Sequence, residues 1–273
     1  MGRSYDTVSF LSDFGHKDEF AGVVKSVIRS LAPHTTVVDL THEVVAHDIR
    51  AGSLALARAV PYVANGVVLA VVDPGVGTGR RAVAIEVAGG EGVFVGPDNG
   101  LMAAAVALTG GAERCVELTN PKFHLEALGA TFAGRDIFGP VAAHLCNGTD
   151  LDEFGDRVDP VALTPGMIPI SRVDDDGAIV AEVLWVDRYG NVQLNVDLDE
   201  IETLGDPVSI THGDKTRVLR RASAYAAITP GDVGIVIDAY GLVSLCADRS
   251  SAAEALRLYP GDSVVLKRLD AGH

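Results

Sequence analysis

The chain has 273 residues, 48% of them apolar, enough for one large domain or two modest ones with filled cores. Its formal net charge of −15 disfavours a nucleic-acid partner, whose phosphates it would repel. The charges are dispersed, as on a solvated surface, rather than gathered in an acidic tail. Cys115, Cys146 and Cys246 stand alone, with no C-x-x-C, which argues against a zinc knuckle or redox pair and suits a reducing cytoplasm. No basic-then-apolar leader precedes the first strand, and no uncharged apolar run reaches the roughly 18 residues of a membrane helix. A cytoplasmic protein without a membrane partner is therefore expected.

In chain order, Val8 to Leu11 predicts a buried strand and Glu19 to Leu31 an amphipathic helix. Thr36 to Leu40 predicts a strand, Ile49 to Val60 a helix, and Val67 to Val72 a third strand. Ala82 to Val87 and Gly92 to Val95 form a strand pair around Gly89-Gly90. Leu101 to Leu108 is helical, as is Ile137 to Cys146, opened by Arg135-Asp136. Strands alternating with helices imply an α/β domain with a largely parallel sheet over residues 1–165. Composition shifts near Leu163-Thr164-Pro165-Gly166, and residues 164–176 are the expected linker. Beyond it, helical signal fades until Ala252 to Leu256. Strands are expected at Gly177 to Val186, Asn191 to Val196, Pro207 to Thr211, Thr216 to Arg220, Gly234 to Asp238, Val243 to Cys246 and Ser263 to Arg268. Residues 175–273 thus predict a small all-β barrel or sandwich.

Aspartates recur at the ends of the first strands: Asp13, Asp39, Asp73 and Asp98. Open α/β sheets bind ligands outside the carboxyl ends of their strands, so this row is a candidate site. Asp98-Asn99-Gly100 is equally good turn chemistry. Gly75, Gly77 and Gly79 lead into Arg80-Arg81 and another strand, not into a helix, so they make no dinucleotide fingerprint. They still let the backbone wrap closely round a ligand. His42 and His47 follow the second strand and are placed to join a site. The eight histidines form no H-E-x-x-H or H-x-H, and no metal is expected. There is no G-x-S-x-G of a serine hydrolase.

Five segments occur in order: Ser12-Asp13-Phe14-Gly15, Asp73 to Arg81, Gly96-Pro97-Asp98-Asn99-Gly100, Thr131 to Phe138, and Asp187-Arg188-Tyr189-Gly190-Asn191. Together they resemble the S-adenosylmethionine (SAM) hydroxide adenosyltransferase family, whose relatives include fluorinase and chlorinase. The resemblance covers nearly the whole chain. It implies an α/β domain joined to a β-barrel, and a homotrimer whose SAM lies between one subunit's N-terminal domain and a neighbour's C-terminal domain. It implies hydrolysis of SAM to adenosine and methionine by water or hydroxide attack at ribose C5′, with no cofactor. By similarity, Asp73 and Arg80 match two members of an Asp-Arg-His catalytic set. Asp13 matches the acid that binds the ribose hydroxyls, with Asp18 and Phe20 on the same loop and His47, Phe132 and Gly134 also at the substrate. Asp187 and Asn191 match the groups that hold the methionine ammonium and carboxylate, with Tyr189 packing there. The adenine is expected near Tyr240 and Ala247 to Arg249. In fluorinase-like relatives the Asp73 position is typically aromatic and the Arg80 position not basic, so both residues favour oxygen over halide chemistry. A SAM-dependent halogenase and a catalytically weak SAM- or adenosine-binding protein are the alternatives.

One position departs from the pattern. The family's hydrolases typically read T-F-H-G-R-D, and this chain reads Thr131-Phe132-Ala133-Gly134-Arg135-Asp136. Alanine neither donates, accepts nor carries a proton. An engineered substitution, a natural subgroup working with Asp73 and Arg80 alone, and a member that has lost activity all fit. The intact surrounding motifs favour the first. His124, nine residues before Ala133, is the remaining candidate for a substitute. The expectation is a competent binding site with an impaired water-activating step.

Overall fold

The computed structural model describes residues 2–269. The expected domain limits at 1 and 273 lie outside them. The chain divides into two compact units, Met1–Ile168 and Pro169–His273.

The first unit is a three-layer α/β domain. Its strands are β1 (Thr7–Ser12), β2 (Thr36–Thr41), β3 (Gly66–Val71), β4 (Ala82–Val87), β5 (Gly92–Pro97) and β6 (Arg114–Glu117), and its helices are α1 (Phe20–Leu31), α2 (Ile49–Ala59), α3 (Ala103–Leu108) and α4 (Gly139–Cys146). The sheet order is β2-β1-β3-β5-β4-β6. The first four in that order are parallel, while β4 runs antiparallel to both β5 and β6. β3 explains the layering. Val67, Leu69 and Val71 enter the core shared with α1 and α4, and Val68, Ala70 and Val72 enter the core shared with α2 and α3. A strand buried on both faces shows no polar alternation, which is why its sequence is a continuous apolar run. Because β2, β1, β3 and β5 are parallel, their carboxyl ends share one edge.

The second unit is a nearly closed antiparallel barrel. Its strands are β7 (Arg172–Val173), β8 (Ile179–Val186), β9 (Val192–Asp197), β10 (Val208–His212), β11 (Lys215–Leu219), β12 (Gly234–Ile237), β13 (Leu242–Cys246) and β14 (Ser263–Arg268). The order is β11-β10-β14-β8-β9-β13-β12, with β7 beside β8. The ends approach where the Ala222 amide donates to the Ile235 carbonyl (2.8 Å) and the Ile235 amide to the Arg220 carbonyl (2.9 Å). Closure removes the open edges that a sandwich would leave.

Four elements go beyond the sequence reading, one of them β7, a two-residue strand inside the expected 164–176 linker. β6 is only four residues and carries a charge at each end. α5 (Leu198–Glu202) is one short turn started by a reciprocal capping box between Asp197 and Glu200. Gly134–Phe138 is a wide π turn running into α4, so the helix begins earlier and more loosely than its apolar pattern suggests. The other short helix, α6 (Ala252–Leu256), lies where expected.

Candidate active site

The site in the first unit is built on the edge where the parallel strands end. Asp73, just after β3, is nearly buried and takes the Arg80 guanidinium side-on. Arg80 Nε lies 2.9 and 3.0 Å from the two carboxylate oxygens, and a terminal guanidinium nitrogen contacts Oδ2. The loop between them is folded on itself, with the Thr78 hydroxyl donating to the Gly75 carbonyl at 2.7 Å. Arg80 also stacks 5.3 Å from the centre of the Phe138 ring, which belongs to the π turn. The pair is therefore fixed from both ends. It offers a preset charge and hydrogen-bond frame without reorganisation.

Asp13 follows β1. Its Oδ2 accepts from the His47 backbone amide at 2.9 Å, and His47 holds a left-handed backbone with φ of 69°. His47 thus meets Asp13 through its main chain, and among the described residues no hydrogen bond engages Asp13 Oδ1. A chain from the buried Ser12 and His42 out to the exposed Asp39 stabilises this loop. The Ser12 hydroxyl lies 2.7 Å from His42 Nδ1, His42 Nε2 lies 3.1 Å from Asp39, and the Ser12 oxygen accepts the Phe14 amide at 3.3 Å. Ser12 and His42 are fully buried, so this Ser-His-Asp array is a strut and not a nucleophile. Burial pushes the His42 imidazole pKa down against the pull of Asp39. Burial also works against ionisation of Asp39, but hydrogen bonds from Lys25 and His42 outweigh it and hold the carboxyl low. The strut joins residues thirty positions apart, and only the closeness of Asp39 and His42 hinted at it in sequence.

Phe20 and Phe132 come together with Phe14 in an aromatic cluster, with ring centres 5.2 to 6.1 Å apart. Gly134 lies against it, where an added Cβ would come within 3.0 Å of the Phe14 ring. Asp18 is exposed on the loop leading to α1. Asp98 does not share the free geometry of Asp13. Its oxygens accept from Arg81 (Nε, 2.9 Å) and from the Thr164 amide (2.7 Å), so it holds the loop. Ala133 is buried and borders a cavity of about 420 Å³, whose lining also includes Thr78, Arg80, His124 and Asp136.

The second unit carries its own pocket, about 680 Å³, lined by Tyr189, Asn191, Tyr225, Ala247, Asp248, Arg249 and Ser251 among others. Asp187 anchors the turn that carries two of these residues: Oδ1 accepts the Tyr189 and Asn191 amides, and Oδ2 accepts the Asn191 side chain, all at 2.8 to 2.9 Å. Gly190 has φ of 82°, and a Cβ there would fall 2.2 Å from the Ser251 hydroxyl. Glycine is required by both measures. Arg249 also has a positive φ, 52°, and its side chain is largely exposed. Tyr240 stands apart from this pocket, on the turn between β12 and β13. Tyr225 and Ser251 are pocket residues that sequence reasoning missed; neither belongs to a motif. Burial pushes the Cys246 thiol up to about 11, and the other two cysteines are likewise buried with raised pKa values, so none is a ready nucleophile. Among the described residues, no group of three or more His, Cys, Asp or Glu side chains is arranged to hold a metal ion, and no helix is long and apolar enough to cross a membrane.

Comparison with known proteins matches both units. Residues 8–155 match the SAM hydroxide adenosyltransferase N-terminal domain and residues 181–265 the corresponding C-terminal domain. A protein of Salinispora tropica named (R)-S-adenosyl-L-methionine hydrolase is 42% identical, over 97% of this chain and 98% of its own length. A Thermus thermophilus protein of the same name is 39% identical, over 95% and 98%. A Nocardia brasiliensis fluorinase is more distant at 26%, over 95% and 96%. A crystal structure of an uncharacterized conserved protein from Thermotoga maritima superposes with a TM-score of 0.88 at 31% identity, covering 96% of this chain and all of that one. Matched in both units and along nearly its full length, the chain belongs to the SAM hydroxide adenosyltransferase family.

Proposed function

We propose that this enzyme hydrolyses S-adenosyl-L-methionine to adenosine and L-methionine. The observation that carries the reading is the locked Asp73–Arg80 pair at the end of β3, in a chain 42% identical to a named SAM hydrolase. The reaction is a displacement at ribose C5′. An oxygen attacks opposite the sulfonium, the C5′–S bond breaks, and its electron pair stays on sulfur, so methionine departs neutral at that atom. No acid is needed for the leaving group. The protein's task is to place the oxygen in line and exclude bulk water; positioning is worth about 7 kcal/mol or more.

In this reading Asp73 and Arg80 orient the attacking water or hydroxide, and Asp13 takes the ribose hydroxyls. Phe20, Phe132 and Gly134 shape the wall beside the sugar, with Asp18 and His47 on the flanking loops. Asp187 and Asn191 meet the methionine end, with Tyr189 packing there, and the adenine lies near Tyr240 and Arg249. Asp187 does so mainly by setting the turn that presents Asn191. The reaction uses no cofactor. The enzyme works in the cytoplasm as a homotrimer in which each substrate is shared by two subunits. The family resemblance is the support for this assembly, and light scattering of the purified chain tests it.

The Asp73 carboxylate argues against halogenation, because it would repel an incoming halide. Ala133 leaves the water-activating step slower than with a histidine in place, a group that typically contributes about 10²- to 10⁴-fold. The test is chromatography of adenosine and methionine after incubation with SAM, for the chain as it stands and for Ala133→His. The reading expects adenosine from both, and more from Ala133→His. No adenosine from either form, or chloride-dependent halo-deoxyadenosine, would overturn it.

A further inference from the structure

At one end of the barrel the polarity of β11 is inverted. Across the β10–β11 hairpin the register pairs Val208 with Leu219, Ile210 with Arg217 and His212 with Lys215. Paired residues share a face, and Val208, Ile210 and Leu219 are buried in the barrel core, so Arg217 and Lys215 stand on the inward side. Val218 takes the outward side and is 54% exposed. A strand with one buried face ordinarily does the reverse. Residues 254–258, from α6 onward, wall off these inward cations into a cavity of about 290 Å³, near the lower end of the roughly 300–1,000 Å³ of ligand sites.

The cavity gathers three fixed cations, Lys215, Arg217 and Arg257, against one carboxylate, Glu254. On a chain of net charge −15 this is a local reversal of sign, and it attracts anions that the rest of the surface repels. Among the described residues, the side chains of Lys215 and Arg257 make no hydrogen bond or ion pair. Arg217 makes one bond, to the Ala255 carbonyl at 3.1 Å, which fixes its guanidinium against α6. Arg257 has a left-handed backbone with φ of 56°, at the helix end where glycine is the usual residue. His212 donates from Nδ1 to the Ser263 carbonyl at 3.1 Å, and its Nε2 lies 3.8 Å from Asp262.

We infer that this barrel mouth is a binding site for a compact oxyanion with two or more negative charges, of the phosphate or polycarboxylate class. Guanidinium groups match the paired oxygens of either, and the ammonium adds a point charge. Ile210 and Leu258 line the cavity beneath the cations, and an apolar base strengthens the attraction by lowering the local dielectric. The volume limits the ligand to a small molecule. The assignment stands independently of SAM hydrolysis.

The experiment is isothermal titration calorimetry of the full chain with inorganic pyrophosphate and, separately, with citrate, at fixed ionic strength. Saturable binding of at least one is expected, and comparing the two separates phosphate from carboxylate recognition. K215Q combined with R257Q should weaken that binding about tenfold or more, since each change removes a charge-assisted hydrogen bond. E254Q removes the one opposing charge and should tighten it about threefold. R29Q, at an exposed cation of α1 in the first unit, should leave it unchanged. No saturable binding of either anion up to about 10 mM overturns the inference and leaves the inward cations as a guard on β11, which ends the strand order. Unchanged affinity in the double variant, or an equal loss in R29Q, overturns it as well. If the double variant fails to fold, E254Q decides: an affinity that stays the same or falls overturns the inference.

Discussion

The end of β3 and the pocket of the barrel are built in opposite ways. At β3, a carboxylate and a guanidinium are clamped to each other and to an aromatic ring before any ligand arrives. In the barrel, an aspartate spends its hydrogen bonds on shaping a turn, which leaves Asn191, Tyr189 and a mostly apolar wall facing the space. The first arrangement suits a step in which charge is redistributed at a fixed point. The second suits recognition, where shape and a few polar contacts decide affinity. The difference says that changes at β3 should appear in kcat and changes in the barrel in KM.

The sharpest test of that split is Asp73→Asn. It keeps the shape and removes the charge that holds Arg80, and kcat should fall about 10³-fold, with adenosine formation as the measurement. A loss confined to KM would break the comparison. Next is Gly190→Ala, which forces a left-handed backbone and a contact with Ser251. Strain of about 1–3 kcal/mol should lower Tm in a thermal melt and raise KM, with kcat retained. Asn191→Ala removes a side chain without strain, so KM should rise about tenfold in steady-state assays while kcat holds. A kcat effect as large as that of Asp73→Asn would show that the barrel also takes part in the chemistry. The smallest effect concerns pH. His42, His124 and His144 all have imidazoles pushed below the ordinary 6.5 by burial. The unfolded chain then binds more protons than the folded one just below that value, so stability is full above about 6.5 and declines as pH falls. Melts at about pH 7.5 and 5.5 should show a lower Tm in acid; a higher one would contradict the sign.

Most of the architecture was legible because it rests on local period. The unbroken apolar run of β3 and the helical spacing of α1 are direct imprints of burial on two faces and on one. Two short elements were not legible, β6 and α5, which are held by neighbours and by a cap rather than by a period of their own. The Asp73–Arg80 pairing was readable through the family resemblance, and the glycine-rich loop between the two residues is what lets it form. The Ser12–His42–Asp39 strut was not readable as a set of contacts, since it depends on how strands and loops stack in space.

The mutual satisfaction of Asp73 and Arg80 has one more consequence. Neither charge is left uncompensated, so removing one alone strands the other in a mostly buried place and should cost about 3–5 kcal/mol. Removing both, as Asp73→Leu with Arg80→Met, leaves no orphan to accommodate. Such a chain would keep its fold and its ligand pockets but lose the step that consumes the ligand. A catalyst of this design lies two substitutions away from a receptor, which would report SAM instead of destroying it.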